Sequence, residues 1–226
     1  MLNQINRTLR KILGQRGKLN PEGDIGIQEL GHREYVGGLW EEIGRLQFEF
    51  LLQKGLKPSH CFLDIGCGSL RGGVHFIDYL DVGNYLGIDK EHKLIQLGIE
   101  KELGKELFEG KKPELVVSDN FEFHEFSKKP QFSIAQSLFT HLNSTDICSC
   151  LRNLRQFVDP GHILFATFLE GQPSGNPKVS HSHAGFRYSK KEMVIFGEST
   201  GWKATYIGIE NWKHPRNQMM MKYEAV

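Results

Sequence analysis

The sequence predicts an α/β protein built on a doubly wound, mostly parallel sheet, preceded by an N-terminal helical extension. Two observations lead to this expectation. From residue 61 onward, short β-favouring runs alternate with helical patterns, and such alternation produces βαβ crossovers in a parallel sheet. The last two β-favouring runs follow one another without a helix between them, which predicts an antiparallel C-terminal strand.

Composition excludes several classes of protein. The 226 residues are 39% hydrophobic and 24% charged, and 28 Lys and Arg balance 27 Asp and Glu to a formal charge of +1. This charge gives no overall attraction to nucleic acid or anionic lipid. The longest apolar stretches, such as residues 163–169, are far shorter than the roughly 20 residues of a transmembrane helix. We therefore expect no transmembrane segment.

The cysteines indicate a reducing compartment. No two of them form a C-x-x-C pair, and a disulfide framework or zinc ribbon would space them differently. They are Cys61, Cys67, Cys148 and Cys150. We therefore predict a cytoplasmic protein.

Residues 1–57 are predicted to form the helical extension. Residues 1–20 carry basic but no acidic side chains, with apolar residues at helical spacing. This pattern predicts a basic amphipathic helix that packs on its own domain; docking on an anionic membrane or an acidic partner is the alternative. A second helix is predicted from Leu39 to Gly55, because its apolar positions repeat with a period of 3.6.

Residues 58–226 are predicted to form the main domain. Its strands are expected at residues 61–65, 84–88, 114–117, 132–135 and 162–168, and its helices at residues 71–80, 92–103 and 146–158. A long polar loop follows at residues 171–185. Ser189 and Glu192 form a capping box that opens a further helix, and residues 203–209 and 217–223 are expected to pair as antiparallel strands.

The strongest local motif lies at residues 62–73, where a β-run ends in Asp64 and a glycine-rich turn opens a helix. In open α/β sheets, ligands bind beyond the carboxyl ends of the strands. The dinucleotide fingerprint G-x-G-x-x-G fails here, because Arg71 stands where the third glycine is required. The Asp64 carboxylate also opposes a pyrophosphate at the helix N-terminus. It suits a cationic ligand such as S-adenosylmethionine, which carries a sulfonium and an ammonium group.

This stretch resembles the first motif of class I S-adenosylmethionine-dependent methyltransferases, which have a Rossmann-like sheet. Leu70 holds the position of the usual third glycine of that motif. The resemblance implies that S-adenosylmethionine is the cofactor. Arg71 opens a helix, where the dipole disfavours a positive charge, and this predicts that Arg71 pairs with the cofactor's carboxylate. The resemblance also implies a methionine-binding turn made of Asp64, Gly66, Cys67, Gly68, Ser69 and Arg71.

The second and third strands supply further cofactor residues. Asp89 ends the second strand 21 residues after Gly68, the spacing at which a carboxylate accepts ribose hydroxyls; capping of the next helix is the alternative. By resemblance, Asp119 and Phe121 contact the adenine ring, unless they form only a polar turn. Gln136, after the fourth strand, completes the predicted cofactor site.

The region after the fourth strand resembles the family's fourth motif and narrows the acceptor. Methyltransferases of exocyclic amines in DNA carry D/N-P-P-Y/F there, whereas this chain has Gln136-Ser137-Leu138-Phe139, and it has no Pro-Cys dipeptide for a cytosine C5 enzyme. A small molecule or a glycan, methylated on oxygen or nitrogen, is therefore predicted instead of DNA. His141 is the candidate general base; capping or inward packing is its alternative role.

Four further side chains are predicted to contact the acceptor. His181 and His183 lie in the long loop, and without a third recognisable ligand they do not make a metal site. Tyr35 and Trp40 flank the Gly37-Gly38 hinge, and by resemblance they form a lid; packing of Trp40 at the edge of the helix's buried stripe is the alternative. Two other functions stay open: an NAD(P)-binding oxidoreductase, and a non-catalytic cofactor-binding partner protein.

Overall fold

The computed structural model describes residues 19–208 and 210–226. The basic helix predicted at residues 1–20 therefore lies almost entirely outside the described residues.

Three helices precede the sheet: α1 (Gly23–Leu30), α2 (His32–Tyr35) and α3 (Trp40–Gln53). The pattern that predicts a helix from Leu39 to Gly55 thus corresponds to α3. Its start is set by three consecutive left-handed residues, Gly37, Gly38 and Leu39, with φ of 97°, 62° and 47°. Helices α1 and α2 were not predicted; they are short and depend on tertiary packing of Ile27 and Tyr35 against Leu94.

Strands β1 to β5 form the parallel part of the sheet. Their bounds are Phe62–Ile65, Tyr85–Asp89, Glu114–Val117, Phe132–Ala135 and Ile163–Glu170, and the later strands are β6 (Arg187–Tyr188), β7 (Trp202–Ile207) and β8 (Met219–Ala225). The order is β3-β2-β1-β4-β5-β8-β7, with β6 paired to β5. Strand β8 lies antiparallel between β5 and β7, so the predicted C-terminal arrangement is confirmed.

The remaining helices connect these strands. They are α4 (Gly73–Tyr79), α5 (His92–Leu97), which continues into a π-helical turn (Gly98–Leu103), α6 (Lys105–Lys111), α7 (Ser144–Phe157) and α8 (Lys190–Glu198), with 3₁₀ turns at Phe123–Glu125 and Pro173–Gly175. The Asn143 side chain caps α7 by accepting from the Asp146 N–H at 2.9 Å. The predicted capping box of Ser189 and Glu192 is present at α8.

The sheet carries a hydrophobic core on each face. Leu63 and Ile65 pack on the side of α7, whereas Phe62 packs with Phe76 of α4 and Phe50 of α3. Helix α3 is therefore part of the layer that covers the sheet. Neither layer covers the carboxyl ends of β1, β2 and β4, where a cleft remains. In the described part of the chain, no helix is long and apolar enough to cross a bilayer.

Leu70 adopts a conformation that leucine rarely takes. Its φ is +65°, and a side chain in the left-handed region costs about 1–3 kcal/mol. Its side chain is fully buried in the core layer that also contains Phe76 and Tyr85. Burial of a leucine side chain contributes about 1.5–3 kcal/mol, so the packing of Leu70 offsets the backbone strain. This is the position at which the first motif of class I methyltransferases usually has its third glycine.

Candidate active site

A cleft of about 680 Å³ opens at the carboxyl ends of β1, β2 and β4. The chain order reverses on either side of β1, and such a switch point is where open α/β sheets bind ligands. The structure brings most of the predicted site residues to this cleft. They are Tyr35, Asp64, Gly66, Cys67, Gly68, Arg71, Asp89, Gln136, His141 and His183.

Asp64 forms the acidic floor of the cleft. Its Oδ2 accepts a hydrogen bond from the Tyr85 hydroxyl at 2.9 Å. Burial raises the pKa of the Asp64 carboxyl to about 7, and the nearby charge of Asp89 acts in the same direction. A carboxyl in this condition favours a cationic ligand, because a positive charge next to it restores the ionised form.

Asp89 ties the glycine-rich turn to the second strand. Its Oδ2 accepts from the Gly68 N–H at 2.8 Å and its Oδ1 accepts from the Glu91 N–H at 2.9 Å. Gly66 and Gly68 have φ of +75° and +54°, a conformation that glycine adopts without strain. Asp89 lines the cleft, and its carboxylate can accept further hydrogen bonds, since each oxygen can accept two.

Arg71 supports the hinge before α3. Its Nη1 donates to the carbonyl oxygens of Val36 and Gly38, both at 3.0 Å. Its Nε is buried without a hydrogen-bond partner among the described residues. Burial lowers the pKa of the guanidinium to about 10, so it remains protonated at neutral pH.

His141 is oriented by the long loop. Its Nδ1 lies 2.7 Å from the carbonyl oxygen of Ala184. A carbonyl can only accept, so Nδ1 carries the proton and Nε2 has a free lone pair. Burial lowers the pKa of the imidazole below its ordinary value of 6.5. The side chain is therefore neutral at pH 7, in the form that accepts a proton.

Five predicted residues do not line the cleft. The Ser69 hydroxyl lies 3.5 Å from the His32 carbonyl oxygen, the Trp40 ring packs under the Arg33 guanidinium at 4.8 Å, and His181 lies beside Glu22. Asp119 is exposed and bonds to its neighbour Asn120 at 2.7 Å.

Phe121 has a φ of +57° and lines a separate cavity of about 360 Å³. The turn after β3 directs its ring toward Phe123 instead of the cleft. The adenine contacts that the resemblance implies for Asp119 and Phe121 therefore stay predictions.

Several residues of the cleft were not predicted from the sequence. Gln47 lies on the buried face of α3 between Ile43 and Leu51, and a polar residue inside an apolar stripe is a signal that could have identified it. Gln218, from the β7–β8 connection, also lines the cleft. His214 and Gln218 bond to the Gln136 amide, at 3.0 and 3.2 Å, and no local pattern predicts that contact.

The Glu22 carboxylate connects the segment before α1 to the long loop, and both lie over the cleft. Glu22, just before α1, accepts from the Lys90 ammonium at 2.7 Å and from the Ser182 hydroxyl and N–H at 2.6 and 2.8 Å. Partial burial acts to raise the pKa of Glu22, but these hydrogen bonds outweigh it and lower the pKa to about 2. Tyr35 packs edge-on against His183 at 4.7 Å between ring centroids, so the N-terminal helices and the long loop form one cover.

The variant Glu22→Gln is expected to lose about 1–2 kcal/mol of stability at neutral pH, because hydrogen bonds to an ionised acceptor are lost. The folded-state pKa lies below the ordinary value of 4.5. The contribution of the Glu22 carboxylate to stability is therefore complete above pH 4.5 and is lost as pH falls through about 2. Chemical denaturation of both proteins between pH 8 and about pH 2 measures it.

Glu109→Gln is a matched control, because Glu109 is exposed and pairs with Lys105 one turn earlier on α6. Its stability should follow that of the unmodified protein. An equal stability of Glu22→Gln and Glu109→Gln at pH 7 would contradict the role of Glu22 as the bond between the loops.

The strand order and the site at the switch point define the class I S-adenosylmethionine-dependent methyltransferase fold, which this chain has. No protein-family model matches the chain. The fold is seen in the similarity to solved structures. One is magnesium protoporphyrin IX methyltransferase from Synechocystis PCC 6803 with bound SAH, at 13% identity and a TM-score of 0.60 over 86% of this chain and 92% of that one.

Two further structures show the same likeness. Human N-acetylserotonin methyltransferase in complex with SAM is 11% identical, with a TM-score of 0.64 over 99% of this chain and 66% of that one. The glycopeptide N-methyltransferase MtfA is 12% identical, with a TM-score of 0.59 over 83% of this chain and 90% of that one. The predicted Rossmann-like fold of the methyltransferase type is confirmed.

Proposed function

We propose that this protein is an S-adenosylmethionine-dependent methyltransferase that methylates oxygen or nitrogen of a small molecule or glycan. The observation that carries the proposal is a pair of acids in the cleft, of which Asp64 is buried and Asp89 is partly buried. Asp64 and Asp89 both line it, and neither forms an ion pair with a cation of the described residues. Burial raises the pKa of both carboxyls, so a cationic ligand stabilises them in their ionised form.

The residues of the cleft fit the parts of this cofactor. Asp64 and the Gly66–Gly68 turn would hold the cationic methionine part, and Asp89 would accept hydrogen bonds from the ribose hydroxyls. A dinucleotide fits the same turn poorly, because its pyrophosphate would meet the Asp64 carboxylate. Bound S-adenosylmethionine supplies a methyl group on a sulfonium, which an aligned nucleophile displaces.

His141 completes the proposed chemistry. Its unprotonated Nε2 can accept the proton of an acceptor hydroxyl or amine, while the Ala184 carbonyl holds its Nδ1 proton at 2.7 Å. The cover made by Tyr35 and His183 excludes water and positions the acceptor. The long loop thus both orients the base and forms a wall of the site.

The proposal predicts that isothermal titration detects binding of S-adenosylhomocysteine and not of NADH. Asp89→Ala should weaken S-adenosylhomocysteine at least about tenfold, because hydrogen bonds to an ionised acceptor contribute about 1.5–3 kcal/mol each. The same substitution releases the Gly68 N–H from its present partner, which adds to the loss.

Asp159→Ala serves as the control, since Asp159 pairs with Lys129 and does not line the cleft. Its affinity should equal that of the unmodified protein. NADH binding more tightly than S-adenosylhomocysteine would favour the oxidoreductase instead. Binding of S-adenosylhomocysteine without methyl transfer to any of a panel of hydroxyl and amine acceptors would favour the non-catalytic partner protein.

A further inference from the structure

The cleft has a basic end as well as an acidic one. Arg71 and Arg216 both line it, and both hold the hinge before α3. Arg71 donates to Val36 and Gly38, and the Arg216 guanidinium donates to the carbonyl of Gly37, which lies between them. The charge of Arg216 lowers the pKa of Arg71, second only to burial, so the two cations face the same region.

Neither guanidinium has a carboxylate partner within the described residues. Asp64 influences the pKa of Arg71 but forms no ion pair with it. Arg71 is only 7% exposed, and its Nε is buried without a hydrogen-bond partner. Two neighbouring cations repel each other when they lack an anion, and a buried donor without a partner costs about 1–3 kcal/mol.

Neutral hydrogen-bonding groups adjoin this basic end. The Gln136 Oε1 is buried without a partner among the described residues, while its Nε2 lies 3.2 Å from the Gln218 Oε1. The Ser137 hydroxyl donates to the same Gln218 oxygen at 3.1 Å. Amide and hydroxyl groups of this kind bind hydroxyls of a ligand, and guanidinium groups bind a carboxylate or phosphate through paired N–H bonds.

We infer that the methyl acceptor carries an anionic group, a carboxylate or a phosphate, and that Arg216 and Arg71 bind it at the basic end of the cleft. The inference rests on the proposed function and specifies the substrate class of that site. The cofactor's own carboxylate has the same chemistry, so the experiment must distinguish these two sources.

Titration of the protein saturated with S-adenosylhomocysteine makes that distinction, because the cofactor's carboxylate site is then filled. Benzoate and phenyl phosphate are the anionic probes, and benzamide is the neutral one. At least one anion should bind with a Kd in the millimolar range, about tenfold more tightly than benzamide. Arg216→Gln should weaken that binding about fivefold while S-adenosylhomocysteine affinity stays within about twofold.

Arg152→Gln is the matched control, since Arg152 lies exposed on α7 and does not line the cleft; its anion binding should be unchanged. Three results would overturn the inference: no anion binding to the saturated protein, anion binding only without S-adenosylhomocysteine, or equal anion affinity in Arg216→Gln. Failure of S-adenosylhomocysteine to bind is seen in the first titration, and it would overturn the proposed function together with this inference.

Discussion

Replacing His141 by alanine is expected to lower kcat by about 10²–10⁴, with S-adenosylhomocysteine affinity nearly unchanged. The loss follows from removal of the free Nε2 lone pair, the group proposed to accept the proton of the acceptor. Steady-state kinetics and isothermal titration on the same preparations measure the two quantities. The contrast between them is informative, because a histidine with only a structural role would change both.

The pH dependence of the unmodified enzyme gives an independent measurement. Burial lowers the pKa of His141 below 6.5, and the base is active when neutral. We therefore expect kcat to be constant near pH 7 and to fall as pH drops through a value below 6.5. A histidine with an unperturbed pKa would make kcat fall at about pH 6.5. The structure therefore predicts that kcat falls at a lower pH than this.

The variant His141→Asn separates the base from the packing. Its side-chain amide can still donate to the Ala184 carbonyl, as the His141 Nδ1 does, but it cannot act as a base. It should lose as much kcat as His141→Ala while keeping more thermal stability. A loss below about threefold in both variants, with a flat pH profile, would contradict the role of His141 and leave catalysis to alignment alone.

Substitution of Gly68 by valine is expected to abolish binding of S-adenosylhomocysteine. A Cβ at this position would lie 2.9 Å from the Val36 Cγ1, and the φ of +54° strains any side chain. The turn would have to move, which breaks the bond from the Gly68 N–H to Asp89. Valine is β-branched and tolerates a left-handed conformation poorly. Isothermal titration should detect no binding.

Gly110→Val provides the control for a glycine-to-valine change. A Cβ at Gly110, on α6, meets no atom within 4 Å. This variant should bind S-adenosylhomocysteine like the unmodified protein. If a folded Gly68→Val variant bound within about tenfold of it, the glycine-rich turn would not be the cofactor site.

Local patterns predicted the parts of the site that lie close together in the chain. The β-run ending in Asp64, the turn with Gly66 and Gly68, and the acid Asp89 all line one cleft. Each was predictable because a strand, its following turn and the next βαβ unit are short-range structures with composition signals. The capping box of Ser189 was predictable for the same reason.

Other roles required the three-dimensional arrangement. Pairing of Arg71 with the cofactor's carboxylate stays a prediction, but no pattern in the sequence indicated that its Nη1 binds the carbonyls of Val36 and Gly38 more than 30 residues earlier. The lid role of Trp40 likewise stays a prediction, and its packing against Arg33 was not predictable. Backbone carbonyls of a distant hinge have no sequence signature, because every residue carries one.

The sequence by itself determined the parallel sheet, the acidic and glycine-rich turn and the position of Asp89, since period, turn chemistry and spacing are local properties. Only the tertiary structure decided which distant residues complete the cleft around these elements. The insertion of β8 between β5 and β7 brings Gln218 to Gln136, 82 residues away, and Arg216 to the hinge at Gly37. Contacts between segments so far apart depend on how the layers pack, and packing is set by the whole core instead of by any one segment.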